Sequence, residues 1–210
     1  MVNLGELVVI GSGGHSRVVV DTASAAGYKL IGIIDINYKG KKETILNTPV
    51  IGGLLTLDEL NPKHVSVFVA IGDNSKRAEQ FYKAQAKGFS TPSVIHPTAF
   101  ISEHAIIGNG TIVNAASIIN SEAVIGENCI INSGAIVEHE VIIGNHCHLC
   151  PGVNIGGRVT IGNESFIGIG ARVIDNIHIG IKSVVGAGSV IIKDVDSHAT
   201  VVGISGARIK

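Results

Sequence analysis

Long apolar runs, clustered basic charge and a cysteine framework are all missing from this 210-residue chain. No stretch approaches the roughly 20 apolar residues a bilayer span needs, which argues against membrane insertion. A net charge of −1 without a basic run argues against nucleic acid as the main partner. Three cysteines, Cys129, Cys147 and Cys150, suit a reducing compartment better than a disulfide scaffold. The opening Met1 to Leu7 does not read as a signal peptide. These absences lead to the expectation of a soluble cytoplasmic protein, and the length favours two domains.

What the chain has is a period of six. From Ile95, every sixth residue is Ile, Val or Leu, without a miss to Ile191. Seventeen hits in register fit neither a helix of period 3.6 nor a strand of period two. Self-similarity at six residues marks a parallel β-helix of hexapeptide repeats. The fourth residue after each aliphatic is small or β-branched (Ala123, Cys129, Ala135, Ser165), so each face packs one large and one small side chain. Cys129 and Cys147 occupy that small inward position and read as compact apolar residues. Gly follows the aliphatic at Gly108, Gly126, Gly144, Gly156, Gly162, Gly168, Gly180 and Gly186, where the pattern predicts corners needing a backbone free of Cβ strain. At three hexapeptides per coil, about five and two-thirds coils stack to a height on the order of 27 Å. No insertion interrupts the register between 95 and 196, so substrate contacts must come from outside the prism.

The first ninety residues supply them. Glu6 to Ile10 reads as a buried strand, followed by Gly11-Ser12-Gly13-Gly14-His15-Ser16-Arg17 and a helix from Val18 to Ala26. Lys29 to Ile34 forms a second strand ending at Asp35. Val65 to Ile71 forms a third, and Gly72-Asp73-Asn74-Ser75 leads into a helix over 76–87. Alternating strands and helices predict a small parallel sheet of Rossmann type, with ligands at the carboxyl ends of the strands. Those ends carry Gly11 to His15, Asp35, and Gly72 to Asn74. Ser16 replaces the third glycine of a dinucleotide fingerprint, and the segment holds about one mononucleotide-binding half. A phosphate-bearing, nucleotide-linked ligand at the helix N-terminus therefore suits the site better than NAD.

The solenoid offers few reactive groups. Glu138-His139-Glu140 lies where the repeat predicts outward side chains near a corner, and a His beside an acid can act as general base. Spacing does not separate Glu138 from Glu140. His146 and His148 flank the inward Cys147 and are expected to face outward, so the three do not converge on a metal. His148, half a coil beyond His139, reads as lining a ligand groove. His64, His96, His104, His178 and His198 read as solvated surface, and no base is evident next to Cys150.

With the hexapeptide prism, the Gly-Ser-Gly-Gly-His turn, the Ala70-Ile71-Gly72-Asp73-Asn74 segment and the Glu138-His139-Glu140 triplet together, the chain resembles the bacterial nucleotide-sugar acetyltransferases of the left-handed β-helix superfamily. These include N-acetyltransferases of UDP-linked bacillosamine precursors and of GDP-perosamine, and the related sialic acid O-acetyltransferases. The resemblance implies three parts: residues 1–92 as a Rossmann-like nucleotide-sugar-binding domain, 93–196 as a left-handed β-helix for acetyl-CoA and catalysis, and 197–210 as a capping tail. It implies a cytoplasmic homotrimer with acetyl-CoA between adjacent prisms, and no metal. His139 would be the base and Glu140 the acid that orients it. Asn132, His148, Gly157, Ile169 and Ala187 would meet the cofactor, with the Gly157 N–H on the thioester oxygen. Gly13, Gly14, His15, Asp35, Gly72, Asp73 and Asn74 would hold the nucleotide-sugar. The implied reaction is direct N-acetylation of the 4-amino group of a nucleotide-linked sugar, with a UDP-4-amino-4,6-dideoxy-N-acetylglucosamine type first. O-acetylation of a sialic acid would call on Arg17 or Arg158 to meet its carboxylate. A non-catalytic module that binds CoA or a nucleotide is the reading from another class. In one respect the chain departs from the family: a tail of the form Val-Gly-x-Pro-Ala reads here Val202-Gly203-Ile204-Ser205-Gly206.

Overall fold

A computed structural model describes residues 4–40 and 43–203. The chain divides into two compact units, Met1–Pro97 and Thr98–Lys210.

In the first unit, the apolar segments predicted as strands form β1 (Glu6–Ile10), β2 (Lys29–Ile34) and, beyond a hairpin, β5 (Val65–Val69). The hairpin consists of β3 (Thr44–Ile45) and β4 (Thr48–Gly52) and has no counterpart in the sequence reading. Its two-residue loop, Leu46-Asn47, has positive φ at both positions, as a hairpin turn that follows strand twist requires. The sheet order is β3-β4-β2-β1-β5, parallel except for the β3–β4 pair. Helix α1 (Gly14–Ala26) begins four residues earlier than expected and ends at Gly27 in the left-handed conformation. Helix α2 (Asn74–Ala86) follows β5. Leu7, Val8, Val9, Ile10, Ile33, Ile34, Val67 and Phe68 form the fully buried sheet core.

The second unit is the hexapeptide β-helix. Two-residue strands stack in three parallel sheets, each residue pairing with the one eighteen further on, as in Ile118↔Ile136 and Ile136↔Asn154. Face one runs from Phe100–Ile101 to Val190–Ile191 and face two from Ile106–Ile107 to His178–Ile179. Face three includes Ile112–Val113 through Val184–Val185. The six-residue series fills the interior from Val113 to Ile191, whereas Ile101 and Ile107 are half-buried and Ile95 is exposed. Past Ile191 the coil tightens: Val184 pairs with Thr200 and Ile179 bridges Val195, a step of sixteen. Thr200–Val201 therefore continues face three. The sequence expected a capping tail from 197 onward; its residues 204–210, with the missing proline, lie outside the described residues.

The corners turn on a different residue from the one the glycine pattern suggests. Left-handed φ falls three positions after the aliphatic, at Ala116, Glu122, Asn128, Gly134, Glu140, His146, Gly152, Arg158 and their successors. The glycines directly after the aliphatics do not have positive φ. They are required for another reason: a Cβ at Gly108, Gly156, Gly162 or Gly168 would stand 2.6 Å from the backbone of the next coil. Inside the prism, the small inward positions of one column donate to carbonyls one coil on. Thr111 Oγ1 reaches Gly126 O at 2.8 Å, Cys129 Sγ reaches Gly144 O at 3.1 Å, Cys147 Sγ reaches Gly162 O at 3.1 Å, and Ser165 Oγ reaches Gly180 O at 2.8 Å. Cys129 and Cys147 are thus structural hydrogen-bond donors, buried and outside any disulfide.

The two kinds of glycine make opposite predictions. Gly162→Ala should destabilise the fold by about 1–3 kcal/mol through overpacking. Gly134→Asn, at a left-handed corner with open space around it, should stay within about 1 kcal/mol. Denaturant titration of both variants measures the contrast.

Candidate functional site

In the first unit, β1 lies between β2 and β5, so strand order reverses there and a crevice opens at the strand ends. Gly11 has φ +114°, and a Cβ on it would lie 2.8 Å from the Ala70 carbonyl oxygen, so only glycine lets the turn pass β5. Gly13 is the N-cap of α1, and no side chain caps that end, where the helix dipole favours an anion. A cavity of about 780 Å3 occupies the crevice.

Of the residues expected to hold a nucleotide-sugar, Gly13, Gly14, His15, Asp35 and Gly72 line the cavity. Asp73 and Asn74 do not, because their side chains build the start of α2 instead. Asp73 Oδ1 accepts from the Lys76 N–H at 2.8 Å, and Asn74 Oδ1 accepts from Arg77 Nη2 at 2.8 Å. Buried Arg77 also donates to the carbonyls of Ile71 at 3.1 Å and Gly72 at 3.2 Å, bracing the turn that forms the cavity wall. Asp35 Oδ1 accepts from the Asn37 N–H at 2.9 Å, which fixes its carboxylate at the rim. Sequence reasoning misses Lys76, Gln80 and Lys83, which α2 directs along the cavity; their helical spacing was the available signal.

In the second unit, His139 and Glu140 stand at the corner between faces one and two, both exposed. His139 Nδ1 lies 2.9 Å from Glu140 Oε2, and Arg158 Nε lies 3.0 Å from the same oxygen. Of the two flanking acids, then, Glu140 meets the ring. A carboxylate only accepts, so Nδ1 carries a proton, and in the neutral form of the ring Nε2 holds the lone pair. The His139 hydrogen bond, and after it the Arg158 guanidinium, hold the Glu140 carboxyl below its ordinary pKa. Gly157 lies against the ring: a Cβ there would be 2.7 Å from both Cε1 and Nε2.

The other expected cofactor residues lie along the next edge of the prism. His148 is on face three; Asn132, Ile169 and Ala187 lie at the corner leading from it to face one. Asn132 Nδ2 is 3.5 Å from His148 Nε2, and Phe166 meets the His148 ring edge-on at 5.1 Å. Ile169 and Ala187 are exposed. Within one prism these residues and His139 occupy successive corners separated by face one. His148 Nε2 also lies 3.8 Å from Cys150 Sγ, a neighbour the sequence does not reveal. Burial pushes the Cys150 thiol up to about 11, so it stays protonated. His146 does not face outward as expected. It is buried, with Nδ1 2.8 Å from Asn128 Nδ2. Among the described residues no cluster of three or more His, Cys, Asp or Glu could hold a metal ion, and no helix is long and apolar enough to cross a membrane.

Comparison with known proteins extends over both units. The PglD N-terminal domain matches residues 6–84, and the bacterial transferase hexapeptide (six repeats) matches residues 122–157. A UDP-N-acetylbacillosamine N-acetyltransferase from Bacillus subtilis (strain 168) is 34% identical over 113 residues, 52% of this chain and 51% of that protein. The chain thus spans about half the length of that curated relative. The acetyltransferase domain of PglB from Neisseria gonorrhoeae FA1090, in complex with acetyl coenzyme A, superposes with a TM-score of 0.89 at 36% identity, covering 94% of this chain and 96% of that one. A variant of perosamine N-acetyltransferase from Caulobacter crescentus, in complex with CoA and GDP-perosamine, superposes with a TM-score of 0.92 at 38% identity, covering 99% and 97%.

Two consequences are measurable. In Gly157→Ala the added methyl should displace the His139 ring and break the Nδ1–Glu140 hydrogen bond, which histidine side-chain NMR reads directly. None of the three thiols should react with a disulfide reagent at pH 8 in the native protein, and all three should react once it is unfolded.

Proposed function

Because the chain belongs to the hexapeptide-repeat sugar N-acetyltransferases that carry a PglD-type N-terminal domain, we propose that it transfers acetyl from acetyl-CoA to the 4-amino group of a nucleotide-linked amino sugar. The acceptor type proposed is UDP-4-amino-4,6-dideoxy-N-acetylglucosamine. The observation that carries this reading is the His139–Glu140 pair, which leaves Nε2 as a proton acceptor.

The sugar nitrogen attacks the thioester carbonyl carbon while one of its protons passes to His139 Nε2. Glu140 stabilises the imidazolium that forms. The C–S bond then breaks, the amide remains on the sugar, and the proton leaves with CoA as the thiol. The Gly157 N–H is the proposed donor to the thioester oxygen as negative charge develops there. No acyl-enzyme is required, in keeping with a Cys150 thiol that stays protonated. The N-terminal cavity takes the nucleotide: the diphosphate at Gly13, Gly14 and His15, near the positive end of α1, with Lys76 adding charge, while Lys83 is paired with Glu79. Asp35 and Gly72 line the same cavity.

The cofactor contacts proposed for Asn132, His148, Ile169 and Ala187 lie one prism face away from His139. A ligand meeting both corners therefore calls for two adjacent copies, which supports a homotrimer with acetyl-CoA between prisms. Exposed Ile106, Val124 and Ile142, stacked along face two, offer apolar surface for such a contact. The cytoplasm, with its acetyl-CoA and reduced thiols, is the proposed compartment. Of the two cations a sialic acid carboxylate would call on, Arg158 is paired with Glu140, which favours the amine acceptor.

His139→Ala should lower kcat/KM for acetyl transfer by about 10²–10⁴-fold while sedimentation still reports a trimer. A thiol-release assay with UDP-, GDP- and dTDP-linked 4-amino sugars and with sialic acid checks the acceptor. Near-normal turnover by His139→Ala sinks the base assignment, and turnover confined to sialic acid sinks the amine acceptor.

A further inference from the structure

The geometry points to Arg158 as a positioning residue that locks the His139–Glu140 pair in its reactive arrangement. This inference rests on the proposed role of His139 as base. Arg158 sits eighteen residues after Glu140, one coil on at the same corner, and both adopt the left-handed conformation, with φ 59° each. Side chains at matching corner positions therefore leave the backbone in parallel, one strand spacing apart. Arg158 uses that placement twice. Its backbone N–H donates to the His139 carbonyl at 3.0 Å, which fixes the main chain of the base. Its Nε lies 3.0 Å from Glu140 Oε2, the same oxygen that meets His139 Nδ1 at 2.9 Å.

Glu140 is exposed, and an exposed carboxylate on a flexible side chain samples several rotamers unless something holds it. Here the carboxylate is held between an imidazole and a guanidinium. With Oε2 fixed, the Nδ1 proton is fixed, and Nε2 keeps its lone pair and its direction. Gly157, directly before Arg158, completes the seat by leaving no Cβ where the ring lies. Two consecutive residues of one coil thus hold the base carried by the coil before it. Arg158 touches neither reacting atom, so its effect must pass through Glu140.

The test compares Arg158→Met and Arg158→Lys with the wild type and His139→Ala in the full-length protein. Arg158→Met should lower kcat by about 10- to 100-fold, as expected for a misaligned base, with KM for both substrates within about twofold. Arg158→Lys should recover most of that loss. Histidine side-chain NMR should show His139 changing from a single Nδ1–H tautomer to a mixture in Arg158→Met, with the thermal midpoint preserved. If Arg158→Met keeps wild-type kcat and a single tautomer while His139→Ala is inactive, the positioning role is wrong and the base assignment stands. If His139→Ala remains active, both fall.

Discussion

The stacking of one coil on the next governs everything in the second unit. Each strand contributes two residues, too few to define a surface alone, and gains its partners only from the coils above and below. Pairing at a step of eighteen makes sequence distance a spatial address. Residues eighteen apart touch, and residues six apart occupy equivalent places on neighbouring faces. The same rule explains the glycines after the aliphatics, whose missing Cβ lets backbones of successive coils approach. It also explains why both thiols and hydroxyls occupy the interior column from Thr111 to Ser165. That position needs a small donor aimed at the next carbonyl, and either chemistry supplies one.

Chemistry is distributed according to what each fold can do. A prism of two-residue strands presents rows of side chains but no deep cleft, so it suits a proton acceptor and an extended ligand along an edge. A doubly wound sheet has a crevice wherever strand order reverses, and the cavity beside β1 is of that kind. The first unit thus offers a crevice that can accept a bulky polar group, and the second offers side chains in rows along exposed edges.

Much of this was legible in the sequence. The six-residue series identified the interior from Val113 to Ile191, and the Gly-rich turn with Asp35 located the crevice. What escaped did so for physical reasons. A repeat does not show whether a coil has neighbours on both sides, so it placed Ile95 in the core although it is exposed. It treated His146 like Glu140, since both sit three positions past an aliphatic, but Asn128 one coil earlier draws the His146 ring into a buried hydrogen bond. Leu46-Asn47 carries no glycine, so the hairpin gave no turn signal. Asp73 and Asn74 also have a local role that spacing does not show, building the start of α2, because the residue types that cap helices are also those that bind polar substrates. Arg158 was visible by adding eighteen to Glu140, but its significance required knowing which acid meets the imidazole.

The left-handed corners carry Ala116, Glu122, Asn128, Glu140, His146, Arg158, Glu164, Asn176 and Lys182 with nearly the same φ. That range of side chains on one backbone shape separates the scaffold from its equipment. Each corner works as a pegboard, with holes at fixed intervals that accept an acid, a base or a neutral group without altering the board. New chemistry on such a frame needs no new loop and no rearranged core, only different pegs in adjacent holes. The trio at 139, 140 and 158 is one such setting.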